Sequence, residues 1–266
     1  KFAVTTDNAG SQYFFDQGLR LVTAFNHSEA MRSFKEAARL DPENAMAHWG
    51  WALTLGRNLN LPMMANVYGQ AYDAIQRAVA LKEQVSDRER DYIEALATRY
   101  TNDFDQGRDK FDIAYMHAME ELMNKYPDDL DAAVLWVSSA MNNQPWDYWN
   151  QDGTPKGNAE KIIAKLNDII TKNPDHAAAH HYLIHVAESK RPELAEASAD
   201  ALAPLMPNAG HLVHMPSHIF IRLGRYQDAY DTNVHAVAVD EDYIMQSKAQ
   251  GIYPLMYYPH NVHFLS

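Results

Sequence analysis

The chain has 266 residues, 47% of them apolar and 22% charged, which is enough to bury a substantial core. Its 23 Lys and Arg against 35 Asp and Glu give a formal charge of −12, which repels phosphate backbones and argues against a nucleic-acid partner. The absence of cysteine excludes disulfides, thiolate metal sites, iron–sulfur clusters and a cysteine nucleophile, and no apolar run approaches the roughly 18–20 residues that span a bilayer.

In chain order, the first clear unit is carried by Gly18, Leu21, Ala30, Phe34, Ala37 and Pro42. Ala30, Phe34 and Ala37 fall at i, i+4 and i+7, one stripe of a helix, and their small–aromatic–small order lets neighbouring helices approach closely. Asp41-Pro42-Glu43-Asn44 then ends that helix and caps the next. A second unit carries Trp51, Ala52, Ala71, Ile75 and Ala78, with an insertion around 58–66. A third starts near Asp87 and stops at Tyr126-Pro127-Asp128. A fourth has Trp136 in its first helix, an insertion at about 142–158 and a stop at Asn173-Pro174-Asp175. A fifth begins at Ala177. A sixth begins at Gly210 and carries Gly224-Arg225-Tyr226, Ala229 and Ala236. No strand alternation appears, and Gly and Pro sit mostly at boundaries and in insertions.

These residues and spacings resemble the tetratricopeptide repeat, a 34-residue helix–turn–helix unit. The resemblance covers nearly the whole chain and is most specific in the first and sixth units. It implies an all-α fold, a right-handed superhelical solenoid whose first helices line a concave face. The repeats are placed at about 11–44, 45–81, 87–127, 130–174, 177–207 and 210–242, with a further one starting near 252–266. Residues 261–266 read as the opening turns of a helix with no stop signal, so the natural chain is expected to continue. The cysteine-free composition and the start at Lys1 tilt the expected compartment toward periplasmic or secreted, although no signal peptide is visible.

Histidine usage is the chemically informative feature. Nine of the 13 histidines lie at or beyond His180. His181 and His185 are four apart in the fifth unit, as are His214 and His218 in the sixth, and His211 precedes His214 by three. Residues three and four apart share a helix face. Thus His181, His185 and Glu188 form one group, and His211, His214 and His218 another. In the family's frame the two pairs occupy the same positions of successive repeats, positions that point into the groove. The resemblance therefore implies two inner helices presenting aligned histidines to one cavity. His260 and His263 form a third pair on the next inner helix.

Imidazoles on helices packed about 8–10 Å apart can share a metal. The expected ligands are His181, His185, His214 and His218. His211, His260 and His263 complete the sphere or hold a second ion, and Glu188 serves as ligand or proton acceptor. A nearly all-nitrogen set selects copper or zinc over calcium or magnesium, at one or two ions per chain. No His-Glu-x-x-His protease motif, phosphate loop or nucleophile elbow is present. The remaining histidines read differently. His27, His48, His117 and His235 are structural or solvated, and His180 faces a partner helix. His176 sits in a loop.

Other features are set beside these. Pro216 should either kink or loosen the first turn of its helix or, lying within the first turns, cost little. The aromatic insertion Gln144-Pro145-Trp146-Asp147-Tyr148-Trp149 is read as a lid over the groove, as an interface patch or as packing on its own repeat. Tyr253, Tyr257 and Tyr258 are placed to bond the site or pack in the core. The acidic runs Glu120-Glu121 and Asp240-Glu241-Asp242 are read as solvated helix surface. Two alternatives to a metal-dependent enzyme follow from the resemblance and the ligand set: a non-catalytic scaffold binding a peptide or protein in the groove, and a metal carrier or store.

Overall fold

A computed structural model describes residues 1–266. It is all-α, with isolated two-residue bridges in place of strands. Two compact units divide at the aromatic insertion, Lys1–Pro145 and Trp146–Ser266. The sequence frame of a single run of repeats has no break there; the division falls inside the expected fourth repeat. No helix is long and apolar enough to cross a membrane.

The first unit consists of α1 (Ala9–Thr23), α2 (His27–Leu40), α3 (Ala45–Leu55), α4 (Tyr68–Leu81), α5 (Asp87–Ala97), α6 (Asp109–Lys125) and α7 (Leu130–Asn143). Side-chain caps start most of them. Asn8, Asn26, Asn44 and Asp129 each accept from backbone N–H groups of the first turn, and Ser86 with Glu89 closes a reciprocal capping box. Ala30, Phe34 and Ala37 are fully buried, as their spacing requires. Phe34 packs edge-on against Phe15 at 5.5 Å between ring centroids. Trp49 meets Tyr92 at 5.7 Å and donates from Nε1 to the Tyr92 carbonyl. The insertion after α3 is a tight Asn58–Leu61 bridge followed by a 3-10 turn, Ala65–Val67.

The second unit consists of α8 (Ala159–Lys172), α9 (Ala177–Ala187), α10 (Glu196–Leu205), α11 (Gly210–His214), α12 (Pro216–Arg222), α13 (Tyr226–Ser247), a π-helical turn (Tyr253–Tyr257) and α14 (Tyr258–His263). Every residue of α9 from Ala178 to Ala187 is buried, as in a helix enclosed on all sides. Helices α11 and α12 form one inner element. Pro216 has no N–H to return to the preceding turn, so the regular pattern breaks there, yet Met215 keeps helical angles, φ −53° and ψ −37°. The expected loosening is thus a local break without a change of direction in the backbone angles. The buried stripe of α13 is Ala229, Asn233, Ala236 and Asp240, at i, i+4, i+7 and i+11.

Candidate metal centre

Helix α9 supplies His181 and His185, α11 supplies His211 and His214, α12 supplies His218, and α14 supplies His260. Six imidazoles sort into two sets of three, each with its candidate ligand atoms within 4.8 Å of one another. The first set is His181, His185 and His211, with side chains 0%, 3% and 3% exposed. Ring centroids stand 4.7, 5.0 and 5.9 Å apart, and Nε2 of His181 lies 3.1 Å from Nε2 of His211. The second set is His214, His218 and His260. Nε2 of His218 lies 2.9 Å from that of His214 and 3.3 Å from that of His260. His214 is buried, and His218 and His260 are half-buried. The two sets are neighbours, with the His211 and His214 rings 6.3 Å apart.

This grouping differs from the sequence frame in one informative way. His181 and His185 do not share a centre with His214 and His218. His211 leaves its helix-mate His214 and joins the α9 pair, because it sits one turn earlier on the face toward α9. His263, expected as a ligand, is exposed and belongs to neither set. Of the histidines set aside, His180 is held by Ser198 Oγ and the Pro174 carbonyl at 2.9 and 2.8 Å. His117 and His235 are exposed.

The outer atoms of the imidazoles are also placed. Glu188, at the end of α9, puts Oε1 3.3 Å from His185 Nδ1 and Oε2 2.7 Å from His218 Nδ1, so one carboxylate touches both sets. Both of its oxygens are thus taken up by ring nitrogens of the two sets. Burial would raise its pKa, but the bonds from His185 and His218 outweigh that and hold it well below the usual carboxylate range. Asn233 donates through Nδ2 to the Ala229 carbonyl, so its Oδ1 is the acceptor that faces His214 Nδ1 at 2.6 Å. Burial pushes His185 below the ordinary imidazole value, against the opposing pull of Glu188. Burial first, then neighbouring imidazoles, pushes His211 and His214 well below it. His260 is lowered to about 4 by burial and then by His218. Neutral imidazoles are the form that binds metals.

Aromatic rings enclose the cluster. Phe264 packs on all three rings of the second set at 4.7–4.8 Å, and Tyr257 on His211 at 4.9 Å. Two tryptophans of the aromatic insertion pack on α9 beside the cluster. Trp146 stands edge-on to His185 at 5.4 Å, in left-handed backbone at φ 64°, and Trp149 Nε1 donates to the Val186 carbonyl at 2.6 Å. Tyr253 bonds the site through its hydroxyl, which accepts from the His211 N–H at 3.2 Å. Tyr258 turns outward to Glu241.

Sequence reasoning missed Asn233, Asp240, Asn261 and Phe264. The reading of Asp240 as solvated surface is corrected, since Asp240 is 0% exposed. The signal was present: Asp240 continues the Ala229, Asn233, Ala236 stripe, whereas Glu241 and Asp242 do not.

No family model matches the chain, and no curated protein matches it in sequence. Among solved structures it is similar to a thermophilic TPR protein of Thermus thermophilus, with 16% identity over 86% of this chain and 90% of that one, at a TM-score of 0.44. It is also similar to YrrB, described as a TPR protein with an unusual peptide-binding site, with 13% identity over 76% of this chain and 89% of that one, at a TM-score of 0.38. Neither likeness is needed for the repeat fold, which the helical hairpins themselves establish, and neither bears on the histidines.

Proposed function

For a chain built of tetratricopeptide-type helical hairpins, we propose the function of a dinuclear metalloprotein. His181, His185 and His211 hold one ion, and His214, His218 and His260 hold the second. One observation carries this reading. The Nδ1 protons of His214 and His218 are committed to Asn233 Oδ1 and Glu188 Oε2, so both Nε2 atoms present lone pairs, 2.9 Å apart. Two lone pairs at that separation repel unless a proton or a metal ion lies between them, and the third imidazole of the set, with His260 Nε2 3.3 Å from His218 Nε2, favours the ion. Two imidazoles on one tetrahedral ion, with bonds of about 2.0–2.1 Å, place their nitrogens about 3.3 Å apart. The observed Nε2 separations of 2.9, 3.1 and 3.3 Å are close to that value.

Copper is favoured over zinc on charge. The six ligands are neutral, and Glu188 is the one carboxylate that touches them. A zinc pair would bring its full charge into the buried site permanently, whereas a copper pair brings half as much in its cuprous state, and an anion at the open positions would balance the cupric state. Three histidines leave a fourth position at each ion. At the second set that position adjoins the half-buried His218 and His260, where a small ligand arrives from solvent. The reading is therefore of an oxidative catalyst; a copper pair would supply electron transfer to the bound ligand, while the protein orients the imidazoles and excludes bulk water. A peptide-binding groove would need these side chains open to a partner, and His181, His185, His211 and His214 are buried. A carrier or store would bind the same ions without turnover.

The test is elemental analysis of untagged protein reconstituted with copper, beside a His181→Ala/His214→Ala variant. Two ions per chain, lost in the variant, support the reading. No metal in the wild-type protein after reconstitution sinks it. Oxygen uptake by the loaded protein with a diphenol as reductant separates catalyst from carrier.

A further inference from the structure

The most completely buried carboxylate of the second unit lies outside the histidine cluster. Asp240 sits on α13 at 0% exposure. Its Oδ1 accepts from the Tyr253 hydroxyl at 2.9 Å, and its Oδ2 from Asn261 Nδ2 at 2.7 Å. Both donors belong to the C-terminal element, one on the π-helical turn and the other on α14, directly after His260. The Tyr253 hydroxyl in turn accepts from the backbone N–H of His211. A methyl group at Gly210 would overlap the Asp240 carboxylate, so the glycine that opens α11 is required by this residue. Burial raises the Asp240 carboxyl to about 6. A buried carboxylate is costly, and here the two hydrogen bonds from Tyr253 and Asn261 are what offset the cost.

The two sets of histidines differ in what they need. All three ligands of the first come from α9 and α11. The second draws two from α11 and α12, but its third, His260, arrives on α14. We infer that Asp240 is the positioning residue of the second set: it clamps α14 to α11 and α13 so that His260 meets His214 and His218, while the first set has no ligand on α14 and meets Asp240 only through the Tyr253 bond to the His211 backbone. This rests on the dinuclear reading for what the sets hold, but the placing of His260 is a property of the chain alone.

Two measurements test it. The first is copper content of wild type, Asp240→Ala, Asn261→Ala, His260→Ala and the Asp240→Ala/His260→Ala double variant, with helicity followed by circular dichroism. Two ions in the wild type should fall to one in Asp240→Ala, one in His260→Ala and again one in the double variant, because both changes remove the same ion. Asn261→Ala leaves the Asp240–Tyr253 bond in place and carries the test if Asp240→Ala does not fold. Loss of both ions, or of neither, from a folded variant overturns the inference. The second measurement needs no metal: carbethoxylation of metal-free protein by diethyl pyrocarbonate, followed by mass spectrometry. His263 lies on the same helix and is exposed, so it serves as the internal reference. Release of α14 should raise the His260 rate about five-fold relative to His263 in Asp240→Ala and Asn261→Ala. Equal rates in wild type and both variants overturn the clamp. A wild type that binds no copper refutes the dinuclear reading and leaves this second result to stand on its own.

Discussion

Helices α1 to α3 and helices α11 to α13 use the same device to different effect. In α1 to α3, Gly18 and Gly50 let their helices close on the ring of Phe34, which fills the space that two methyl groups would claim. In α11 to α13, Gly210 plays that part, but what it meets is the carboxylate of Asp240. The first arrangement is centred on fully buried aromatic rings, Phe15, Phe34 and Trp49, with the bonded pair Ser11 and Asn44 buried beside them. The second buries His211, His214, Asn233 and Asp240 at the corresponding depth. Apolar burial stabilises without further conditions, whereas each buried polar group costs free energy until a partner satisfies it. One end of the chain thus carries mainly stabilising apolar burial, and the other carries the buried imidazoles.

The largest effect should fall on the stabilising side. Phe34→Ala removes a ring that nothing nearby can replace, and should cost about 3–5 kcal/mol of unfolding free energy in urea. Copper content should not change, because every candidate ligand lies in the other unit. A variant that keeps its stability would mean that the Phe34 cavity collapses, and one that keeps its fold but loses copper would break the separation.

Next in size is the carboxylate that joins the two sets. Glu188→Gln keeps the shape and removes the charge that steadies His185 and His218 together. Supporting partners of metal-bound histidines typically contribute 10–100-fold in affinity. Both ions should therefore weaken by about that factor in a chelator competition. Weakening of one ion alone would show that Glu188 serves a single set, and unchanged affinities would remove it from the site.

How much of this was legible follows from the kind of signal each residue sends. The spacing of Ala30, Phe34 and Ala37 states a helix face and its neighbours, and the structure realises it. The pairs His181/His185 and His214/His218 announced a histidine-lined interior, since four-residue spacing survives whatever the partner helix does. Which imidazole joins which was not legible, because it depends on the rotation of α9 against α11; that rotation moved His211 into the first set. His263 shares the helix of His260 but not its face. Asp240 was hidden by its neighbours: a run of three acids looks like solvent-facing surface until it is laid on the stripe of Ala229, Asn233 and Ala236. The division at 145/146 has no counterpart in the repeat pattern, which is blind to how many contacts cross a loop.

The smallest effect sharpens the comparison through a histidine of the other unit. His27 opens α2 and donates from Nδ1 to the Thr54 carbonyl at 3.2 Å, with no second imidazole bonded to it. Burial lowers its pKa to about 4, the Thr54 bond opposes that, and Arg99 adds to it. The folded chain therefore holds His27 neutral at a pH where the unfolded chain, near 6.5, takes up a proton. Since the folded value is the depressed one, the stability it contributes is full above about pH 6.5 and is lost as pH falls toward 4. The side chain is half-buried, so solvent screening reduces the loss to about 1–2 kcal/mol. His27→Gln keeps a donor for Thr54 and cannot titrate. Urea unfolding between pH 7 and pH 4 should show a shallower fall in this variant than in the wild type. Identical slopes would assign the acid sensitivity to other groups and remove His27 as a contributor. A shallower slope would set His27, which only resists protonation, apart from the six histidines that gather in two sets of three.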